Sequence, residues 1–180
     1  VLVEGDQLGH GATGHNGGHI TAHFERSFSE MVKEFGLPLA AEAQQSIENA
    51  WELLDLMYTE GKLDIPLSRF PGHLGFESEK HLNGELEDNF LRREVGFSLR
   101  EILIADHLPY AKSIDPRYEG LYTLAPHAKI LERLETKKPD FIGLLSDQAG
   151  VMNSALFTQE MALYLLKTFA DRFSIYEHTH

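Results

Sequence analysis

Hydrophobic positions change period several times along this chain, and each change predicts an element. Val1, Leu2 and Val3 form a short apolar run that ends in Glu4, the pattern of a buried strand closed by a carboxylate. Residues 9–23, GHGATGHNGGHITAH, hold too many glycines (Gly9, Gly11, Gly14, Gly17, Gly18) for helix or strand and predict a loop. From His19 the apolar residues Ile20, Phe24, Phe28, Met31, Val32 and Phe35 recur at spacings of three and four, which predicts an amphipathic helix ending at Gly36-Leu37-Pro38. A second helix is expected from Pro38 to Glu60. Its inner face would carry Leu39, Ala43, Ile47, Ala50, Trp51, Leu54, Met57 and Tyr58, with Gly61 as its cap, and it would lie antiparallel to the first.

The period then shortens. Pro66 and Pro71 forbid regular helix between Lys62 and Glu77, and His73-Leu74-Gly75-Phe76 reads as a short strand. Ser78 opens a charged helix carrying Leu82, Leu86, Phe90 and Leu91, and Ser98 with Glu101 form a capping-box pair for a further short helix over Leu99, Ile102, Leu103 and Ile104. Tyr118 to Leu124 alternates as a strand, and Pro126 opens a helix through about Glu135. Phe141 to Leu145, a turn at Asp147-Gln148-Ala149-Gly150, and Val151-Met152 predict a hairpin. Asn153 or Ser154 caps a helix reaching Arg172, and Phe173 to Glu177 is a last strand. The expected class is α/β, or α+β overall. The two terminal strands would be parallel neighbours, because a parallel pair needs a long crossover such as the intervening chain supplies.

Composition narrows the chemistry. The 180 residues, 42% of them hydrophobic, suffice for one substantial core, and length alone suggests one domain. A net charge of −12 argues against nucleic acid, whose binding needs Lys and Arg to displace counterions. The lack of cysteine removes disulfides, thiolate chemistry and a cysteinyl flavin link. No apolar run approaches the roughly 18 residues of a membrane span, and no signal peptide is visible, so a cytoplasmic protein is expected.

The order strand, glycine loop, helix suits anions, since glycine lets backbone N–H groups approach a ligand and a helix start offers unpaired donors. Glu4 followed by GATGHNGGHI resembles the second strand and flavin-contacting loop of the D-amino-acid-oxidase-type FAD-dependent oxidoreductases, in particular their gamma-glutamylputrescine-oxidase-like members. Their loop usually reads G-A-S-G-R-N-G-G; here Thr13 stands for serine and His15 for arginine. Weaker similarity continues to the end of the chain.

The resemblance implies a partial Rossmann-like FAD-binding region in residues 1–61, with a helical pair. A substrate-side lobe with a small antiparallel sheet would occupy 62–152, and a return helix and strand 153–180. It implies FAD as cofactor, with Glu4 on the adenosine ribose and Thr13, Gly14, His15, Asn16, Gly17, Gly18 and His19 along the pyrophosphate and flavin. Because histidine titrates near neutrality, the charge His15 lends the flavin would be conditional. Phe76, Tyr122 and His127 are weaker candidates for the substrate, a small amine or amino acid oxidised by hydride transfer to flavin; no catalytic base is identifiable. The family's first strand and its G-x-G-x-x-G turn are not in this sequence, so the chain is expected to be a fragment, inactive without the remainder of the flavoprotein.

Metal and hydrolase chemistry find less support. His10, His15, His19 and His23 cluster, but only His19 and His23 would share a helical face and no H-E-x-x-H pattern completes a site, so no metal is expected. There is no G-x-S-x-G elbow and no P-loop lysine. The alternative to an oxidoreductase is a non-catalytic α/β module that binds a ligand or a partner.

Overall fold

The first strand, β1 (Leu2–Val3), lies parallel to the last, β7 (Ile175–Tyr176), with Leu2 opposite Ile175 and Val3 opposite Tyr176. The pairing predicted for the chain ends is therefore present in the computed structural model, which describes residues 1–179. His180, the last residue of the predicted return segment, lies outside the described residues. Glu4 N–H donates to the Tyr176 carbonyl at 2.9 Å and Thr179 N–H to the Glu4 carbonyl at 3.0 Å, which holds Glu4 at the end of the parallel ladder.

The protein is a mixed α/β chain whose backbone falls into two units. Val1–Ala22, Glu48–Phe70 and Ala149–His180 make the first; His23–Ile47 and Pro71–Gln148 make the second. Two long strands, β3 (Leu67–Phe76) and β6 (Gly143–Met152), pair with each other and contribute residues to both.

In the first unit β2 (His19–Thr21) runs antiparallel to the end of β6, with His19 opposite Val151 and Thr21 opposite Ala149. The first part of the helix expected from His19 is thus corrected to a strand, while residues Phe28–Phe35 of that span are helical. Gly18 has φ +66° and Asn16 caps its N–H at 2.7 Å, so the chain turns and cannot continue as helix; its carbonyl then takes Met152 N–H at 3.1 Å to begin the ladder. Helix α3 (Ala50–Gly61) packs on α6 (Ser154–Thr168), where the Tyr58 and Phe157 rings stack at 6.0 Å. Trp51 is buried as predicted, under the Arg69 guanidinium at 4.9 Å and against Gly150, where a Cβ would sit 3.1 Å from the indole. The helix cap is Lys62 in the left-handed region, φ 49°, while Gly61 closes the last helical turn. Asn153 caps α6 by accepting Leu156 N–H at 3.0 Å.

In the second unit α1 (Phe28–Phe35) begins at a complete capping box: Ser27 accepts Glu30 N–H and Glu30 accepts Ser27 N–H, both at 3.2 Å. The helix expected over 38–60 is two helices, α2 (Leu37–Glu48) and α3, broken at Asn49. Phe28, Met31 and Ala40 form one buried cluster, to which Leu91 of α4 (Glu79–Glu94) adds. Ser78 caps α4, accepting His81 N–H.

The short helix expected after Ser98 is instead the central strand β4 (Glu101–Ala105). Its run Ile102-Leu103-Ile104 is buried on both faces, and a short continuous apolar run suits such a strand as well as a helix. Strand β5 (Thr123–Ala125) lies parallel to β4, and β6 antiparallel on its other side. Tyr118 belongs to a short 3₁₀ turn, Pro116–Tyr118, and α5 (His127–Arg133) follows Pro126. The hairpin expected at 141–152 is one continuous strand, because the polar residues Asp147 and Gln148 lie exposed along it without reversing the chain. Phe76, Leu82, Leu86, Ile102, Ile104 and Leu145 fill one face of the sheet; Leu103, Ala105, Ile130 and Leu144 fill the other.

Polar groups lock this core. Asn89, fully buried, donates to the Arg100 carbonyl at 2.8 Å and accepts Arg100 N–H at 3.1 Å. The Arg100 guanidinium reaches Glu85 at 2.8 Å and Asp88 at 3.4 Å. Burial raises the Glu85 carboxyl above its ordinary range despite the arginine. A carboxyl raised on folding stabilises below its unfolded value and loses that contribution as pH rises through the folded one. Glu85→Gln is therefore expected to flatten the fall in stability above about pH 4.5. Glutamine still accepts from the Arg100 guanidinium, so the variant is expected to keep the fold. Urea unfolding of both proteins between pH 4 and 7 reads this; a steeper slope in the variant contradicts it.

Candidate functional site

Residues 9–18 form a loop that is held by its own polar groups. A 3₁₀ turn at Ala12–Gly14 is closed by Gly14 N–H on the Gly11 carbonyl at 3.0 Å. Asn16 organises the rest: its amide donates to the carbonyls of Ala12 at 3.1 Å and Thr13 at 2.7 Å, and its oxygen accepts Gly18 N–H. The Ser154 hydroxyl, in the first turn of α6, lies 2.5 Å from the Thr13 carbonyl and 3.0 Å from Asn16 Oδ1, and so ties the loop to that helix.

Two glycines owe their identity to backbone packing. A Cβ at Gly14 would sit 2.0 Å from the Gly9 carbonyl oxygen, and one at Gly18 would sit 1.9 Å from that of Met152. At Gly11 the opposite holds: nothing lies within 4 Å of a Cβ there. The loop therefore has one face sealed against α6 and β6 and one open to solvent.

His15 Nδ1 donates to the Gly11 carbonyl at 2.9 Å, since a carbonyl only accepts; this fixes the tautomer of the neutral ring and leaves Nε2 without a protein partner among the described residues. The Thr13 hydroxyl likewise has none among them. His19 is exposed, with its ring against Gly17. Beside the loop, residues 16–20 with Met152 and Ser154 line an open groove of about 370 Å³. Glu4, at the end of β1, accepts Asp6 N–H at 3.0 Å through Oε1, and its other oxygen has no partner among the described residues.

The substrate candidates are placed differently. Phe76 is fully buried, edge-on to the His81 ring at 5.0 Å, and Tyr122 packs on the same cluster. Phe76 thus contributes to the hydrophobic core. His127 Nε2 donates to the Phe141 carbonyl at 2.9 Å.

One polar network on the sheet escaped the sequence reading, because it joins four elements. Arg133 holds both oxygens of Glu101 and donates to Ser146 Oγ at 3.0 Å, while the Ser146 hydroxyl meets His73 Nδ1 at 3.0 Å. Burial first, and then the Arg133 charge, hold the His73 imidazole below its ordinary value. The unfolded chain thus binds a proton more readily at this residue. Stability is expected to fall as pH drops from about 7 to about 5 and His73 is forced to charge. His73→Gln, which keeps an acceptor for Ser146, should remove that part of the pH dependence; equal slopes in unfolding at these pH values would contradict this.

No family model matches this sequence, and no curated protein or solved structure is significantly similar to it. Among the described residues no group of three or more His, Asp or Glu is placed to hold a metal ion, and no helix is long and apolar enough to cross a membrane.

Proposed function

We propose that this chain is part of an FAD-dependent oxidoreductase of the D-amino-acid-oxidase type, acting on an amine or amino acid, and that its first unit is one edge of the dinucleotide site. The observation that carries the reading is the parallel pair β1–β7, with Glu4 at its carboxyl end and the exposed glycine loop directly after it. A two-stranded parallel sheet with Val1, Val3 and Tyr176 exposed also fits a sheet that continues into the remainder of a larger protein, since parallel sheets are covered on both faces.

The donor set fits the cofactor. Glu4 has a carboxylate oxygen without a partner among the described residues for a ribose diol, and the Thr13 hydroxyl and the outward side of the loop are available for the phosphates and flavin edge. His15 would add charge only when protonated. Asn16 and Ser154, engaged within the protein, act by positioning the loop. When bound, FAD supplies a ring that accepts a hydride from the carbon bearing the amine. The chain's own contribution is to hold and orient it and to exclude water from one side.

The test is the visible spectrum of the full natural protein. Flavin absorbance near about 450 nm that bleaches with an amine or amino acid under anaerobic conditions is expected. A colourless protein that FAD does not reconstitute would leave the non-catalytic binding module as the better reading.

A further inference from the structure

The second unit places two histidines at equivalent points of a parallel ladder. Ala105 is the last residue of β4 and Ala125 the last of β5, and the register puts these two opposite each other. His107 and His127 each follow two residues later, so the ladder that aligns the alanines also brings the imidazoles together, with ring centres 5.1 Å apart. Asp106 N–H on the Ala125 carbonyl at 3.0 Å fixes the chain between β4 and His107.

We propose that His107 and His127 form a binding site for one transition-metal dication of the zinc, nickel or copper class. With metal–nitrogen bonds of about 2.0–2.1 Å, two imidazoles sharing one tetrahedral ion have ring centres about 5 Å apart, close to the separation observed. His127 is already oriented as metal-bound histidines are: its Nε2–H donates to a backbone carbonyl, that of Phe141, which leaves Nδ1 as the lone-pair nitrogen. His107 is exposed, so an ion can enter without displacing protein. Two protein nitrogens leave the remaining positions to water or a small ligand, an open coordination shell of the kind imidazole-rich sites offer zinc, nickel and copper.

The experiment adds substoichiometric Ni²⁺ to the isotope-labelled chain and follows amide broadening, with Zn²⁺ affinity measured by calorimetry. Broadening is expected first at Asp106, His107, His127 and Ile142. His107→Ala and His127→Gln should each weaken Zn²⁺ binding by about ten-fold or more. His127→Gln retains a donor for the Phe141 carbonyl, so an unchanged amide spectrum separates ligand loss from misfolding. Broadening centred on His10, His15, His19 and His23, or on Asp6 and His178, with both variants binding as the parent does, would overturn the site; so would absence of binding.

Discussion

Asp88→Ala is expected to cost about 3–5 kcal/mol of stability in the second unit. Asp88 is almost fully buried on α4, yet its carboxylate serves α1: it accepts Phe28 N–H at 2.9 Å and Ser29 N–H at 2.8 Å. Those two donors are orphans of the helix start, and the next two are met locally, Glu30 N–H by the Ser27 hydroxyl and Met31 N–H by the Ser27 carbonyl. The alanine variant leaves two buried N–H groups unpaired, each costing roughly 1–3 kcal/mol, and removes one of the two carboxylates on Arg100. Asp88→Asn, which keeps one oxygen, should cost less. Chemical unfolding gives the total, and hydrogen exchange at Phe28 and Ser29 assigns it. A loss below about 1 kcal/mol with unchanged protection of α1 would mean that Asp88 is not its cap.

The second large effect is expected at Gly18. Gly18→Ala places a Cβ 1.9 Å from the Met152 carbonyl oxygen at φ +66°, so strain and overlap act together and β2 cannot keep its register on β6. A cost of about 2–4 kcal/mol follows, with protection lost at the β2 amides paired to 149–151. Gly11→Ala is the internal control: the site is open and extended, so the change should stay within about 0.5 kcal/mol. Thermal unfolding of the two variants side by side tests whether glycine at each position answers a backbone contact or an open surface.

Much of this architecture could be read from residue order. The terminal strands pair in parallel as a strand–crossover–strand order requires, and Ser78, Pro126 and Asn153 mark helix starts by local chemistry alone. Elsewhere two local signals competed, and the weaker-looking one won. The spacing of Ile20 and Phe24 suggested helix, but the Ser27–Glu30 capping box places the true start at Phe28, after the β2 strand has ended. Ser98 and Glu101 also have the capping-box spacing, yet Ile102-Leu103-Ile104 is claimed by neighbouring strands and Glu101 by Arg133.

The loop itself was legible as an irregular, glycine-rich element. The reason for each glycine was not. Gly14 and Gly18 answer to carbonyls of Gly9 and Met152, and no spacing in a sequence marks such a contact. The Ser146 network and the facing histidines were hidden for the same reason, since a ladder register brings their residues together.

Gly11→Leu asks most directly whether the open face of the loop meets a flavin dinucleotide, because nothing lies within 4 Å of a Cβ at Gly11 in the protein alone, whereas a leucine there would crowd a cofactor at the proposed site. The measurement is bound flavin per protein in the full natural protein, parent against variant, after matched folding by circular dichroism. A yellow parent is expected, and a folded variant that has lost most of its flavin. A variant that holds FAD as fully as the parent, or a parent that holds none, would contradict the proposal.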